Sequence, residues 1–298
     1  MKNTVLILIS VILIASVFVA CAQKNNKSGL TSYQVGANTL YLLSEGNKAG
    51  NSSILIGATP EMKKATIPND TFPMGTNAFL LRTPHKNILI DAGYGINLAQ
   101  NLNAVGVTSA QIDIILLTHL HGDHIGGLLK DNKVVFPNAE LYIAQPEYDY
   151  WMSDVAMNTL PETQRGSFVK AREVIAAYQT HLHLFNPAEL GENATAIVED
   201  IVAFGAYGHT PGHTVYLITS NNEKLMVWGD LTHAMAIQMP YPQVAVTYDV
   251  NPEMAVISRE KVLQYVEQQH IAVAGMHIAS PAIGMLEKSA TGYKFVTK

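Results

Sequence analysis

The sequence predicts an α/β fold in which two packed β-sheets are covered by helices on their outer sides. Three observations lead there. Short runs of strand character gather in two groups, one in each half of the chain. Segments with helical spacing follow each group, an ordering expected of sheets layered between helices. The run Ile112–Leu117, too short and isoleucine-rich for a surface helix, reads as a buried strand that ends in THLHGDHIGG, Thr118–Gly127.

Taken in order, the first group comprises Thr39–Ser44, Asn77–Thr83, Asn87–Gly93, the Ile112 run and Ala139–Gln145. Pro146–Met152 then reads as a helix, since proline suits a first turn. Glu162–Thr180 reads as a second, with Phe168, Ala171, Ile175 and Tyr178 on roughly one face. The second group is IVAFGAYG (201–208), HTVYLITS (213–220) and KLMVWGD (224–230). A helix over about 252–269 follows, with Asn251 as its N-cap. A short strand in IAVAGMH (271–277) and a terminal one in YKFVT (293–297) close the chain. Beyond about Leu30 there is no repeat, low-complexity tract or long linker.

With 298 residues, 48% hydrophobic and 14% charged, the chain can bury a substantial core. A net charge of −5 without a basic block argues against nucleic acid as a partner. Residues 1–22 are expected to be a signal peptide, with one early lysine and an apolar run from Val5 to Ala20. Two exits are readable. FVAC resembles a bacterial lipoprotein box, with Phe18 where leucine is usual, and would place lipid on Cys21, the sole cysteine. ACA-Q fits cleavage after Ala22, and an uncleaved anchor is the third reading. Each implies export: a periplasmic or outer-membrane lipoprotein, or a secreted protein. Residues 23–37 read as a flexible tether and 38–298 as the folded domain, which cannot form an internal disulfide.

The chemistry gathers at the turn. Of 11 histidines, His119, His121 and His124 fall together with Asp123 directly after a buried strand. Imidazole and carboxylate are the usual protein ligands of zinc and similar divalent metals. His119 and His121, two residues apart, project to one side if strand character persists. Gly122 permits a sharp turn, Asp123 and His124 can face the cavity from a helix start, and Gly126 and Gly127 allow close packing on the sheet. Further along, His213, Asp230 and His277 each cap a hydrophobic run, so they are expected at the same sheet edge. His209, four residues before His213, is expected to orient a ligand by a hydrogen bond. His233, three after Asp230, is close enough to meet a substrate or leaving group. His85, His181, His183 and His270 read as structural or surface residues.

The order His119-x-His121-x-Asp123-His124, then His213, Asp230 and His277, resembles the metallo-β-lactamase superfamily. IDAG, Ile90–Gly93, matches a further motif of that family. The resemblance implies a four-layered αββα sandwich with two divalent metal ions, zinc first among them, at one edge. It implies that His119, His121 and His213 hold one ion, that Asp123, His124 and His277 hold the other, and that Asp230 bridges them. Asp91 would support the site from behind.

Paired metals activate water and polarise the bond under attack, so hydrolysis is the expected reaction. A bridging Asp230 argues against a true β-lactamase. The stretches from Trp228 and Ala274 are similar to the branch that holds methyl parathion hydrolase and several N-acyl-homoserine lactone lactonases, with Asp230-x-x-His233 recurring and GYKF standing where the branch has a GYRW-like end. Other lactonases of the superfamily carry tyrosine at the His233 position. The expected function is therefore a quorum-quenching lactonase or related lactone and ester hydrolase, with Asp123 or His233 assisting proton transfer. The alternatives are a β-lactamase, an organophosphate hydrolase, or a metal-binding lipoprotein without turnover. Phe72, Met74, Trp151, Met152 and Met235 are candidates for an acyl-chain groove. The expected partners are a small-molecule substrate, a membrane through the lipid and, since relatives in this branch are often dimers, a second copy of the chain.

Overall fold

The computed structural model describes residues 24–25, 30–192, 194 and 196–297. The expected signal peptide and the lipid site at Cys21 lie outside the described residues. Among those described, no helix is long and apolar enough to cross a membrane.

Two main sheets carry the fold. The first orders its eight strands as the chain does: β1 Lys24–Asn25, β2 Thr31–Val35, β3 Asn38–Asn51, β4 Thr71–Arg82, β5 Asn87–Ile90, β6 Ile114–Leu116, β7 Glu140–Ala144 and β8 Leu182–Phe185. The pairs from β1 to β5 are antiparallel, whereas β5, β6, β7 and β8 run parallel. The second sheet comprises β9 Ile201–Gly205, β10 Thr214–Ser220, β11 Glu223–Val227, β12 Ala272–Ala274, β13 Ile283–Lys288 and β14 Tyr293–Thr297. Its single parallel pair is β11–β12.

Parallel neighbours need crossovers, and the crossovers supply the covering helices. The helix α1, Leu98–Ala104, lies between β5 and β6. The short α2, Gly122–Ile125, follows β6, while α3, Gln145–Met152, and α4, Gly166–Ala177, connect β7 to β8. The helix α5, Pro252–Gln268, connects β11 to β12. Its start is fixed as the sequence predicts: the Asn251 side chain accepts from the Met254 N–H at 3.0 Å.

Neighbouring side chains in the central strands of the first sheet serve opposite cores. Phe79, Leu81, Ile88, Ile90, Ile114 and Leu116 face the second sheet. Leu80, Leu89, Ile115 and Leu117 face outward against Leu98, Leu102, Phe168 and Val174 of the helices. A strand buried on both faces reads as an unbroken apolar run, which is why Ile112–Leu117 carries no alternation. With α5 packed outside the second sheet, the layers are α, β, β and α.

The structure corrects several sequence-based boundaries. Thr31–Val35 is a strand paired with β3, and Tyr33 and Val35 are buried, so the expected tether over 23–37 does not describe these residues. The strands β3 and β4 run well past Ser44 and begin before Asn77, forming a long two-stranded arm with a bulge between Ser44 and Gly46. Glu45, Gly46 and Asn47 have weak strand propensity, but pairing with β4 overrides it. The strand β13 has no counterpart in the sequence reading, while β6 and β12 are shorter than the runs that contain them.

This topology places the functional residues. Parallel strands end together, so Asp91 after β5, His119 after β6 and Glu147 after β7 emerge at one edge. Asp230 after β11 and His277 after β12 do the same in the second sheet. Because β10 runs antiparallel to β11, its entry, with His209 and His213, comes to that edge too.

Candidate metal centre

Imidazoles and carboxylates converge at this edge on the floor of a cavity of about 330 Å³. His119 Nε2 lies 2.9 Å from His121 Nδ1, which lies 3.0 Å from His209 Nε2. Asp230 Oδ2 is 3.3 Å from that His209 nitrogen and 3.7 Å from His119 Nε2. A second group stands beside the first: His277 Nε2 is 3.4 Å from Asp123 Oδ2, and His124 Nε2 is 3.8 Å from Asp123 Oδ1. Asp230 reaches this group as well, with Oδ1 3.1 Å from His124 Nε2 and Oδ2 3.0 Å from His277 Nε2. Each group can offer one donor atom per residue to a cation.

The outward nitrogens explain the inward ones. His124 Nδ1 donates to Asp91 Oδ2 at 2.6 Å, His209 Nδ1 to Asp249 Oδ1 at 2.9 Å, and His277 Nδ1 to the Gly75 carbonyl at 3.0 Å. The Thr118 hydroxyl donates to Asp91 Oδ2, so it can accept from His119 Nδ1 at 3.1 Å. These four rings therefore turn their Nε2 lone pairs toward the cavity, as metal-binding histidines with outer carboxylate or carbonyl partners do. Among the described residues, His124 Nε2 and Asp230 Oδ1 are buried without a hydrogen bond although they face each other. Buried polar atoms are normally satisfied, so this pair fits donors aimed at a shared cation.

The electrostatics agree. Burial, reinforced by neighbouring imidazoles, drives His119 and His121 well below the ordinary histidine range and keeps them neutral. Burial opposes ionisation of Asp230, yet His124, His277 and His233 hold its carboxyl well below the usual range. Burial likewise opposes charge on His209, but Asp230 and Asp249 push it up to about 9, while Asp230 and Asp123 raise His124 and His277, with Asp91 adding to the effect on His124. The carboxylates thus favour positive charge among them, and divalent cations held by neutral imidazoles would satisfy that preference.

The structure moves one expected ligand. His213 stands apart from these groups because both of its ring nitrogens are committed: Nδ1 donates to the Ala206 carbonyl at 3.0 Å and Nε2 accepts from the Asp230 N–H at 3.0 Å. Burial and the nearby His209 push it down to about 3, so it stays neutral and acts as a strut under Asp230. His209, expected in the supporting role, takes the cavity position instead. GHTPGH offers two histidines, and their spacing alone does not choose between them.

Asp91 stands where the sequence placed it, behind the cluster. It has φ +56° and accepts from the Thr118 N–H and hydroxyl as well as His124. His233 lines the cavity, lies 3.0 Å from Asp230 Oδ2 and stacks on His277. Burial pushes it down to about 4, and its Nδ1 has no hydrogen-bond partner among the described residues.

Of the expected acyl-chain residues, only Met74 lines this cavity. Phe72 is buried in a satellite core with Ile67 and Val244. Trp151 is buried behind His121, edge-on at 5.6 Å, and packs on Phe168. Met152 is exposed on α3, and Met235 lines a separate surface groove with Pro73 and Phe295. Lys48, Tyr94 and Tyr248, which no motif marked, complete the cavity mouth. Lys48 is brought there by distant pairing, opposite Met74 in the β3–β4 arm, whereas Tyr94 directly follows the Asp91 turn.

Glu147 on α3 also escaped the sequence reading. Its carboxylate is wholly buried and accepts four hydrogen bonds, from Leu120 N–H at 2.9 Å, Trp151 Nε1 at 2.6 Å, Thr210 Oγ1 at 2.6 Å and Gly212 N–H at 3.0 Å. It thereby ties the His119–His121 turn to the His209 turn. Burial still raises its carboxyl above the ordinary value, against the pull of those donors. Gly212 is needed for the approach: a Cβ there would lie 2.1 Å from the Glu147 backbone nitrogen.

The family model described as the metallo-beta-lactamase superfamily matches residues 71–267. Among solved structures, the hydrolase AbOPH of the beta lactamase superfamily is 27% identical with a TM-score of 0.81, over 90% of this chain and 97% of that one. The dizinc quorum-quenching lactonase AidC, solved with its N-hexanoyl-L-homoserine product, is 28% identical with a TM-score of 0.80 over 90% and 97%. Ribonuclease Z of Saccharolobus islandicus is 41% identical over 73 residues, 24% of this chain and 21% of its own. The chain spans about a fifth of the length of the first curated relatives it matches.

Replacing Glu147 by glutamine puts an amide donor against one of four donors already present. Because Glu147 holds the turns that carry the donors, divalent-metal affinity should fall by about 10–100-fold, the range for groups that position metal ligands from outside. Competition with a chromophoric chelator measures this, and an unchanged affinity would remove Glu147 from the organisation of the site.

Proposed function

Because this chain belongs to the metallo-beta-lactamase superfamily, we propose that it is a dinuclear metal-dependent hydrolase that opens lactones, N-acyl-homoserine lactones foremost. The observation that carries this reading is the Asp230 carboxylate spanning two donor groups at the floor of an open cavity. One ion would be held by His119, His121, His209 and Asp230, the other by Asp123, His124, His277 and Asp230. Zinc suits such a nitrogen and oxygen donor set. Bound metals of this kind supply a hydroxide nucleophile at neutral pH and polarise the carbonyl under attack. The lactone preference draws on the likeness to the dizinc lactonase, which extends over nearly its whole chain.

The protein's own groups carry the remaining steps. The Asp123 side chain, 19% exposed, meets the cavity directly. A carboxylate oxygen of Asp123 takes the proton that the attacking hydroxide still carries after it adds to the ring carbonyl, and returns it to the alkoxide oxygen when the ring C–O bond breaks. His233 stays neutral and donates Nε2–H to Asp230, and its buried Nδ1 has no hydrogen-bond partner among the described residues.

Three measurements bear on this reading. The metal-loaded protein should hydrolyse acyl-homoserine lactones faster than nitrocefin or an aryl phosphotriester; rapid nitrocefin turnover without lactone turnover would reject the substrate class. By metal analysis after dialysis, His209→Ala should lose at least one equivalent per chain while His213→Ala keeps two. The reverse pattern would restore His213 as a ligand. His233→Ala should retain both equivalents yet lose about 10- to 100-fold in kcat, at the low end of acid–base contributions; unchanged kinetics would reduce His233 to packing.

A further inference from the structure

We propose that Lys48 is a specificity-determining residue whose ammonium binds an anionic group of the substrate, remote from the bond that is cleaved, an inference that rests on the hydrolase reading above. Lys48 lines the mouth of the metal cavity and is the single lysine or arginine among the described residues that do so. The acids of the same lining, Asp123 and Asp230, belong to the metal donor groups. Lys48 is exposed, and among the described residues no side chain or carbonyl pairs with its ammonium. An uncompensated cation at the entrance of a cleft raises the local concentration of anions.

The backbone aims this side chain. Directly opposite residues of an antiparallel pair share a face, and successive residues alternate between faces. Before the bulge of β3, Leu42 lies opposite Phe79 and Ser44 opposite Asn77. That face turns toward the second sheet: Leu42 and Phe79 are buried between the sheets, and Asn77 donates to the Gly275 and Ile278 carbonyls. Unbroken alternation would carry Lys48 to the same face. The extra residue between Ser44 and Gly46 reverses the alternation, so Lys48 stands opposite Met74, which also lines the metal cavity. The arm is tied to loops on both sides of the site. Glu45 accepts from the Tyr94 N–H at 2.9 Å and the Ile96 N–H at 2.7 Å, beyond the Asp91 turn. Asn47 Oδ1 accepts from the Ser280 N–H at 3.1 Å, and the Gly75 N–H donates to the His277 carbonyl at 3.1 Å. The bulge and these ties hold an ammonium without a protein partner at the cavity mouth, where a substrate anion can meet it.

The probes are N-succinyl-homoserine lactone, whose far end is a carboxylate, and its terminal amide, which is neutral and nearly the same size. Turnover of both by the metal-loaded protein is measured beside calorimetric binding of their ring-opened forms. The wild type should prefer the carboxylate compound in kcat/KM, and Lys48→Gln should lower that preference about fivefold, the upper end for an exposed ion pair. The loss should fall on KM rather than kcat. Lys48→Arg should keep most of the preference, and Lys48→Glu should lower it further than Lys48→Gln does. Added salt should weaken the preference of the wild type more than that of Lys48→Gln. A preference equal in the wild type, Lys48→Gln and Lys48→Glu overturns the proposal, as does a loss confined to kcat. If no lactone is opened, yet the ring-opened carboxylate form outbinds its amide in a manner that Lys48→Gln abolishes, the proposal stands and the lactonase reading fails. Lactone turnover with a preference indifferent to all three substitutions does the opposite.

Discussion

A single buried carboxylate, that of Asp230, is the constraint on which the rest of the site depends. Removing a carboxylate from water costs several kcal/mol unless positive charge or strong donors compensate. Here five imidazoles, those of His119, His124, His209, His233 and His277, stand within 3.7 Å of its oxygens. They come from both sheets, so the carboxylate is satisfied only when the two halves of the sandwich close on each other. Its own N–H is held by His213, which shows why that histidine is spent on support.

Around Asp230 lies a ring of further buried acids, each restraining a different turn. Asp91 holds Thr118 and His124, Glu147 holds Leu120 and the His209 turn, and Asp249 holds His209 itself. Burial works to raise the Asp249 carboxyl, but the His209 imidazole outweighs it and holds it below the ordinary value. Arg259, buried in α5, accompanies Asp249 at 3.9 Å and donates to the Leu231, Pro242 and Val244 carbonyls. Donor atoms restrained by this many outer partners are the arrangement expected of a preorganised site.

The turn Thr118–Gly127 announced its chemistry because residue types with few bland explanations were adjacent in the chain. Asp91 in IDAG was marked by the resemblance to a family motif, and Asp230 and His277, which cap apolar strands, by their joint pattern with that turn. What failed was any choice that depended on direction. His209 and His213 are chemically alike and four residues apart, and only the commitment of both His213 nitrogens distinguishes them. Trp151 and Phe72 were candidates to line an acyl-chain groove, yet both point into cores. Glu147 looked like an ordinary helix acid; its four donors come from segments up to 65 residues away.

By itself, then, the sequence determined the layered α/β class, the strands that end at the site and six of the seven clustered donors. The class and the strands follow from local pattern, apolar runs buried on both faces with polar residues at their ends; the donors follow from that pattern together with the resemblance of their order to the superfamily's. Tertiary structure alone decided which histidine enters the cavity, that Glu147 and Asp249 stand behind it beside Asp91, and how the β3–β4 arm and the Tyr94 loop shape its mouth. Those outcomes turn on side-chain direction and on pairing between distant segments, which the order of residues along one chain does not contain.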